Sequence, residues 1–351
     1  MRFANMGHAS PTDEPLMKLG LDLFSLRSQK WTAFELLDYS AQLGVKTAHF
    51  SEPRFLGSME GSHLDRVKSH ADRLGLDLEV GFTSICETSH RFEPEHGTPA
   101  AQLRRMLQVA RRLGSPIVRC FLGTSEDREG PIPLEQHIEN TIKTCKAVRS
   151  EALDLGLKIA VENHAGDLQS RQLRMLIKEA GPEYVGALYD AGNAAWTLED
   201  PLLALETLAP YVLTSGMRDS AIWEVPGGGA VQWVPMGSGN VEIDKVAERY
   251  AELCPGKVFS LEIINTRTAR IFRYWDETFW RHYRDVPAWV FAQFLRRARS
   301  GSPYENAPPG PQGASPDSPA FKEFLVDEER RDVEQAVEYC RTTLGLEGRV
   351  S

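Results

Sequence analysis

Short apolar runs alternate with longer amphipathic stretches along most of the chain. The short runs are rich in β-branched and aliphatic residues, which is typical of strands, and the longer stretches repeat apolar positions at helical spacing. Residues 19–26 predict a strand, and residues 32–44 predict a helix that ends at Gly44. Further strands are predicted at 45–51, 78–85, 116–123, 157–164, 185–193, 211–219 and 258–265.

The helices predicted between these strands indicate the fold class. A glycine that adopts the left-handed conformation ends a helix at low cost, and four early helices stop at such a residue. No GxGxxG motif follows an early strand, which disfavours an open doubly wound sheet. The eight alternations therefore predict an α/β protein, a single (β/α)₈ TIM barrel. The remaining helices are predicted at 61–74, 99–113, 135–156, 168–180, 200–208 and 242–254, with stops at Gly44, Gly75, Gly114 and Gly156.

The strand–helix rhythm ends after the eighth strand. Residues 267–298 are rich in aromatic residues and arginine and predict helix interrupted at Pro287, and residues 299–319 are rich in Pro, Gly and Ser. An aromatic segment at the barrel mouth suggests a substrate larger than a free triose. We divide the chain into an N-terminal tail (1–16), the barrel (17–266), an insertion over the C-terminal mouth (267–318) and a final outer helix (319–351).

Composition excludes several classes of protein. Lys and Arg number 40 against 49 Asp and Glu, and the net charge of −9 argues against nucleic-acid binding. The 5 cysteines are scattered without a CxxC pair, so neither a disulfide framework nor a zinc knuckle is expected. No apolar run is long enough to span a membrane, and the N-terminus lacks the apolar region of a signal peptide. We expect a cytoplasmic protein that acts on a small-molecule substrate. Its aromatic surface is expected to form the interface of a homo-oligomer.

Three acidic residues occur where predicted strands end, namely Glu162, Asp190 and Glu262. A buried carboxylate is costly unless it is paired or bound to a metal. Carboxylate oxygens suit Mn²⁺, Mg²⁺ or Co²⁺, with Zn²⁺ as a further option, and His164 points to the same side as Glu162 and could add a nitrogen. Alternatively, each acid forms an ion pair with an arginine, for which Arg119, Arg218 and Arg267 are available; Arg119 is the expected partner of Glu162.

Five motifs in this order resemble the xylose isomerase-like TIM barrels, the superfamily of sugar isomerases and epimerases that includes the type 2 endonucleases for abasic sites. The resemblance covers residues 17–266 and 319–346, and the glycine-containing turn before the seventh helix is its most specific piece. The motifs are AVENHAGD (160–167), LYDAGN (188–193), MRDS (217–220), WVPMGSGNVEID (233–244) and SLEI (260–263).

The resemblance implies a divalent-metal site at Glu162, Asp190 and Glu262, with the two glutamates moving protons through an enediolate during isomerisation or epimerisation. One departure concerns the seventh strand, where the family usually has a His or Gln ligand and this chain has Gly216. His164 or water would have to fill that place. We predict substrate contacts from His49, His164, Asn193, Trp196 and Arg218.

Three alternatives remain open at this stage. The first is a lyase on the same barrel that cleaves a 3-oxo-glycoside by β-elimination, which uses the same carbon-acid chemistry. The second is a non-catalytic barrel or partner subunit that has lost the metal, for which Gly216 is the main support. The third, an endonuclease for abasic sites, is disfavoured because the net charge is −9 and few histidines are available as ligands.

Overall fold

A computed structural model describes residues 17–306, 310–311, 315 and 317–346. Eight parallel strands form the barrel, in the order β10-β1-β2-β3-β4-β5-β6-β7, and three further strands form a small second sheet in the order β11-β9-β8. The TIM barrel prediction is confirmed. The strands are β1 (Leu19–Asp22), β2 (Thr47–Phe50), β3 (Asp77–Ser84), β4 (Ile117–Phe121), β5 (Lys158–Glu162), β6 (Val185–Tyr189), β7 (Val212–Ser215), β8 (Asp219–Val225), β9 (Gly228–Val234), β10 (Phe259–Leu261) and β11 (Arg270–Phe272).

The helices pack around the outside of the barrel. Each of the four glycine stops predicted from the sequence has a positive φ, between 66° and 74°, so the αβ turns form as expected. No helix among the described residues is long and apolar enough to cross a bilayer. The helices are α1 (Ala33–Gln42), α2 (Gly61–Leu74), α3 (Pro99–Leu113), α4 (Ser125–Arg128), α5 (Leu134–Ala147), α6 (Arg149–Leu155), α7 (Ser170–Ala180), α8 (Ala191–Ala194), α9 (Pro201–Leu208), α10 (Ile243–Leu253), α11 (Ala288–Ser300) and α12 (Pro319–Thr342).

The barrel closes between β7 and β10 through a seam in which side chains supplement the backbone ladder. The hydroxyl of Ser215 donates to the carbonyl of Val258 at 2.9 Å and accepts from the amide of Ser260 at 3.0 Å. Beyond the end of β7, the amide of Met217 donates to the Ser260 carbonyl, and the amide of Glu262 donates to the Met217 carbonyl at 3.0 Å. The seam therefore includes the segment that carries Gly216 and Arg218.

The second sheet was not predicted from the sequence. β8 and β9 form an antiparallel hairpin in the loop after β7, and β11 pairs with β9. The predicted strand 211–219 is thus too long, because Asp219 already belongs to the hairpin. A Cβ at Gly228 would lie 1.8 Å from the carbonyl oxygen of Phe272, so β11 can approach the hairpin only at a glycine.

Other boundaries also differ from the prediction. The first strand ends at Asp22, whose carboxylate accepts from the amide of Phe24 and starts a 3₁₀ helix over Leu23–Leu26. The eighth is only Phe259–Leu261. The long helix predicted at 135–156 breaks at Val148, whose φ of −119° is not helical, and so becomes α5 and α6.

The aromatic segment after β10 is helical in part only, which corrects the expectation of an interrupted helix over 267–298. It begins with β11, continues through a 3₁₀ helix at Glu277–His282, and is α-helical only from Ala288, where Pro287 caps α11. β11 forms because its backbone pairs with the hairpin, a non-local contact that local helical spacing does not reveal.

Polar contacts join this segment to loops at the carboxyl ends of the barrel strands. Arg270 pairs with Glu129 at 2.6 Å in the loop after β4, and the guanidinium of Arg128 donates to the carbonyl of His282. Asp285 accepts from Arg171 of α7 at 2.8 Å. These contacts lie on the β4–β5 side of the mouth.

Candidate active site

Three carboxylates converge at the carboxyl ends of the barrel strands. Glu162 is the last residue of β5, Asp190 directly follows β6, and Glu262 directly follows β10. One oxygen from each lies within 4.8 Å of the others, and all three residues are buried. The structure therefore brings together the three acids singled out in the sequence. This arrangement follows from parallel strands whose carboxyl ends meet at one face of the barrel.

Two buried arginines neutralise part of this charge. Nε of Arg119, on β4, donates to Oε2 of Glu162 at 2.6 Å, which confirms the predicted pair. A terminal nitrogen of Arg218 contacts Oδ2 of Asp190 at 2.7 Å and also contacts Oε2 of Glu262. Arg267, considered as a third partner, instead pairs with Glu328 of α12. Three carboxylates thus face two guanidinium groups.

Asn193 links two of the acids from the first turn of α8. Its side-chain amide donates to Oε1 of Glu162 at 3.0 Å and to Oδ2 of Asp190 at 2.8 Å, while its backbone amide donates to Oδ1 of Asp190. Its own carbonyl oxygen is buried and has no partner. Asn193 therefore fixes the orientation of both carboxylates, and its side-chain oxygen remains a buried acceptor without a partner.

A stack of aromatic rings supports Arg218. The guanidinium lies 4.6 Å from the ring centroid of Trp233 on β9, and Trp233 stacks on Trp196 at 4.3 Å. Cation–π contacts of this kind hold a guanidinium in one orientation. Trp196 stacks on Trp233, and its contact with substrate stays a prediction. The β9 strand that places Trp233 beneath Arg218 was not predicted.

Burial and the neighbouring charges both shift the pKa of Asp190. Burial raises it well above its usual value, and the neighbouring Glu262 and Glu162 add to this, although Arg218 opposes them. Burial by itself would lower the pKa of Arg218, but Asp190 and Glu262 outweigh it, and the pKa of Arg218 is raised. The arginines therefore remain charged, and the cluster carries one uncompensated negative charge when all three acids ionise. A further cation would remove that excess.

The two predicted histidines lie outside the carboxylate cluster. Nδ1 of His164 is 2.7 Å from the carbonyl oxygen of Gly123, and its ring stacks on Phe121 at 4.0 Å. His49 is completely buried on β2, with Nδ1 3.4 Å from Oδ2 of Asp22. Burial and the nearby Arg119 lower the pKa of each imidazole to about 3, so both rings are neutral near pH 7.

Two further buried acids occur on the β1–β3 side. Asp22 accepts from the hydroxyl of Ser51 at 2.5 Å, and burial together with Glu262 raises its pKa. Glu79, on β3, accepts from the hydroxyl of Thr214 across the barrel at 2.7 Å, and burial raises its pKa to about 7. Neither acid was identified as a site residue from the sequence; their place on buried strands was the available signal.

The glycine-containing turn from the family motif wraps the carboxylate of Asp219. The amides of Gly237 and Gly239 each donate to Oδ2 of Asp219 at 2.9 Å. A Cβ at Gly239 would lie 2.2 Å from Oδ1 of Asp219, so no other residue fits there without displacement. The turn anchors the start of β8, directly after Arg218.

The carboxylate cluster fits a hard divalent cation. Its donors are all oxygen atoms, which Mg²⁺ and Mn²⁺ prefer, and a cation would balance its excess negative charge. Gly216, at the expected ligand position, supplies no side-chain donor. A Cβ there would lie 3.2 Å from Oε2 of Glu262 and 3.6 Å from Oδ2 of Asp190, so position 216 borders the cluster directly. Within the described residues, the three carboxylates are therefore the candidate protein ligands.

Comparison with known proteins identifies the family. A family model described as xylose isomerase-like TIM barrel matches residues 37–280. The chain belongs to this family, as the motifs indicated.

The individual proteins that the chain resembles have low sequence identity to it. "Uncharacterized protein YihM" from Escherichia coli (strain K12) is 28% identical over 208 residues, which are 58% of this chain and 58% of that protein, so the chain spans little more than half of this relative. D-psicose 3-epimerase from Clostridium cellulolyticum H10, solved with D-tagatose, is 14% identical, with a TM-score of 0.60 over 93% of this chain and 99% of the other. The 3-keto-D-glucoside 4-epimerase YcjR from E. coli is 13% identical, with a TM-score of 0.55 over 81% and 99%. Structures of the same fold include one with magnesium and one with zinc.

Proposed function

We propose that this chain is a metal-dependent sugar isomerase or epimerase that transfers protons next to a carbonyl group. The observation that carries the proposal is the meeting of Glu162, Asp190 and Glu262 within 4.8 Å at the carboxyl ends of three barrel strands. Chemistry in TIM barrels occurs at this face. The family and the sugar epimerases that share its fold support an enzyme acting on a small-molecule sugar.

Glu162, Asp190 and Glu262 would hold the divalent ion. Mn²⁺, Mg²⁺ or Co²⁺ would polarise a substrate carbonyl and lower the pKa of the adjacent C–H group. Arg218 contacts both Asp190 and Glu262, so metal binding requires these ion pairs to rearrange. Its guanidinium would then be available to bind a substrate oxygen.

The two glutamates would carry the proton. Glu162 comes from β5 and Glu262 follows β10, so they approach the centre from different sides of the barrel. One carboxylate removes the proton from carbon, and the other returns it on the opposite face, which inverts the stereocentre. Asn193 and Arg119 would hold Glu162 in position through the hydrogen bonds described above. We retain His49 and His164 as candidate substrate contacts in their neutral forms.

Metal content and proton exchange test this proposal together. We expect about one divalent ion per purified chain, which is lost in Glu162→Gln, Asp190→Asn and Glu262→Gln. In D₂O with Mn²⁺, NMR should show deuterium entering D-fructose, D-tagatose or a 3-oxo-glucoside at the carbon next to the carbonyl.

The matched control is Glu199→Gln. Glu199 is a buried glutamate that accepts from the amide and hydroxyl of Ser170, outside the cluster. It should keep both metal and exchange. A wild-type chain that holds no metal after addition of Mn²⁺ would contradict the proposal, and would favour the non-catalytic barrel.

A second reaction on the same site is β-elimination from a 3-oxo-glycoside. The observation that favours it is a cavity lined in part by Phe82 and Phe24, whose backbones hydrogen-bond to Arg119 and Asp22; this cavity could receive a leaving group. Product analysis separates the two reactions, because an epimerase conserves the mass of its substrate and a lyase releases an aglycone.

A further inference from the structure

A cavity of about 460 Å³ opens among the loops that follow β1, β2 and β3. This volume falls within the range of small-molecule sites. The cavity has an apolar wall and a charged rim, and we call it the β1–β3 cavity. Its lining consists of Phe24, Glu52, Pro53, Arg54, Met59, Phe82, Thr83, Arg91, Glu93, His96, Gln102, Arg105 and Met106.

Two hydrogen bonds link the cavity wall to buried charged residues of the barrel. The carbonyl of Phe82 accepts from Arg119 at 3.3 Å, and the same guanidinium pairs with Glu162. The amide of Phe24 donates to Asp22 at 2.8 Å. The Arg119 guanidinium therefore joins the cavity wall at Phe82 to Glu162 of the carboxylate cluster.

The charges on the rim are not balanced. Arg54 pairs with Glu52, and His96 lies 3.4 Å from Glu93. In the described part of the chain, Arg91 and Arg105 contact no carboxylate, and both are exposed. The lining holds three arginines against two glutamates. The two unpaired guanidinium groups can bind an anion at the rim of an apolar cavity.

We propose that the β1–β3 cavity binds an anionic, ring-containing substituent of the substrate. The ring packs against Phe24, Phe82 and Met106, and its acidic group meets Arg91 and Arg105. The substrate class is therefore a sugar derivative with an acidic aryl-type group rather than a free sugar. Naming this class rests on the proposed function, whereas the binding preference of the cavity does not.

Binding of two matched glucosides tests the cavity directly. The probes are 4-carboxyphenyl β-D-glucopyranoside, which is anionic, and 4-methylphenyl β-D-glucopyranoside, which has a similar size and no charge. Calorimetry on the full chain at low salt should show the anionic glucoside binding about tenfold more tightly. Arg91→Gln/Arg105→Gln should remove this preference, and Phe24→Ala should weaken both probes.

Arg111→Gln is the control, because Arg111 is an exposed arginine of the same helix α3 that does not line the cavity. It should keep the preference. Equal affinity of the two glucosides for the wild-type chain would overturn the proposal, as would an equal loss in Arg111→Gln.

Failure of this inference and failure of the proposed function give different results. Metal content and deuterium exchange into a free ketose, which lacks the acidic ring, report on the carboxylate cluster in the wild-type chain and in Arg111→Gln. If the glucosides bind alike while metal and exchange are present, only the cavity proposal falls. If the chain binds the anionic glucoside more tightly but holds no metal and exchanges no deuterium, the cavity proposal is supported and the proposed epimerase function is contradicted.

Discussion

The two sides of the barrel mouth hold their buried acids in different ways. Around β4 to β10, Glu162, Asp190 and Glu262 have guanidinium partners. Around β1 to β3, Asp22 and Glu79 have hydroxyl partners instead. A hydroxyl partner adds no charge, whereas a guanidinium opposes the effect of burial, which still raises the pKa of Asp190. Only the first side therefore places carboxylate oxygens against cations that a divalent ion could replace.

The same division holds for the surroundings of the acids. The side with arginines is covered by the β8–β9 hairpin, which places Trp233 against Arg218, and by contacts such as Arg270 with Glu129. The β1–β3 side has an open cavity with unpaired arginines on its rim. We infer that reactivity belongs to the first side and selection of the substrate to the second.

Of the changes that test this comparison, replacement of Arg119 should lower the stability of the protein most. Arg119→Met leaves Glu162 as an uncompensated buried charge, which should lower the free energy of unfolding by about 3–5 kcal/mol. Urea denaturation at pH 7 measures it. Arg119→Met/Glu162→Met should recover most of the loss because neither charge remains.

The exposed pair of Arg112 with Asp65, at 2.7 Å, supplies the control for that experiment. Arg112→Met should change stability little, since solvent screens exposed pairs. A loss as large as that of Arg119→Met would mean that burial of the partner carboxylate is not the cause.

On the side where hydroxyl groups are the partners, Glu79 should make the stability of the fold depend on pH. Its pKa is raised from 4.5 to about 7, so the folded state binds a proton that the unfolded state has released. This contribution to stability is complete below about pH 4.5 and is lost as the pH rises through 7, a change of about 3 kcal/mol. Glu79→Gln should lack this decline.

The measurement is urea denaturation of both chains from pH 4.5 to 8. The difference in stability between Glu79→Gln and the wild-type chain should grow across this interval in favour of the variant. Parallel curves would show that Glu79 ionises in the folded barrel as easily as in the unfolded chain.

The smallest expected effect concerns Gly216, which has no side-chain donor at the position where the family usually has a ligand. Gly216→His places an imidazole beside Glu262 and Asp190, and should raise the affinity for Mn²⁺ by about tenfold in calorimetric titration. Its Cβ would lie 3.2 Å from Oε2 of Glu262, so that carboxylate must shift slightly. Gly216→Ala adds the same Cβ without a donor and should show no gain; equal affinities in the two variants would rule out a ligand position at 216.

The barrel and the three acids were predictable because each depends on local sequence. Helices that end at Gly75 or Gly114 and acids at strand ends are visible within short windows. The β8–β9 hairpin could not be predicted in this way. Its pairing with β11 joins residues about forty positions apart, and its glycines are typical of a loop. The contacts of Arg218 with both Asp190 and Glu262 could not be predicted either, because they depend on how β6 and β10 lie relative to the end of β7.

The seam between β7 and β10 also determines when the cluster can form during biosynthesis. Glu162, Asp190 and Arg218 emerge from the ribosome before Glu262, whose amide joins the seam through Met217. Until β10 pairs, Arg218 has one carboxylate partner instead of two, and the oxygen-ligand set lacks a member. Because parallel strands distant in sequence pair late, cation binding should appear only in chains whose barrel has closed. Binding of a divalent ion would then report that the barrel has closed between β7 and β10.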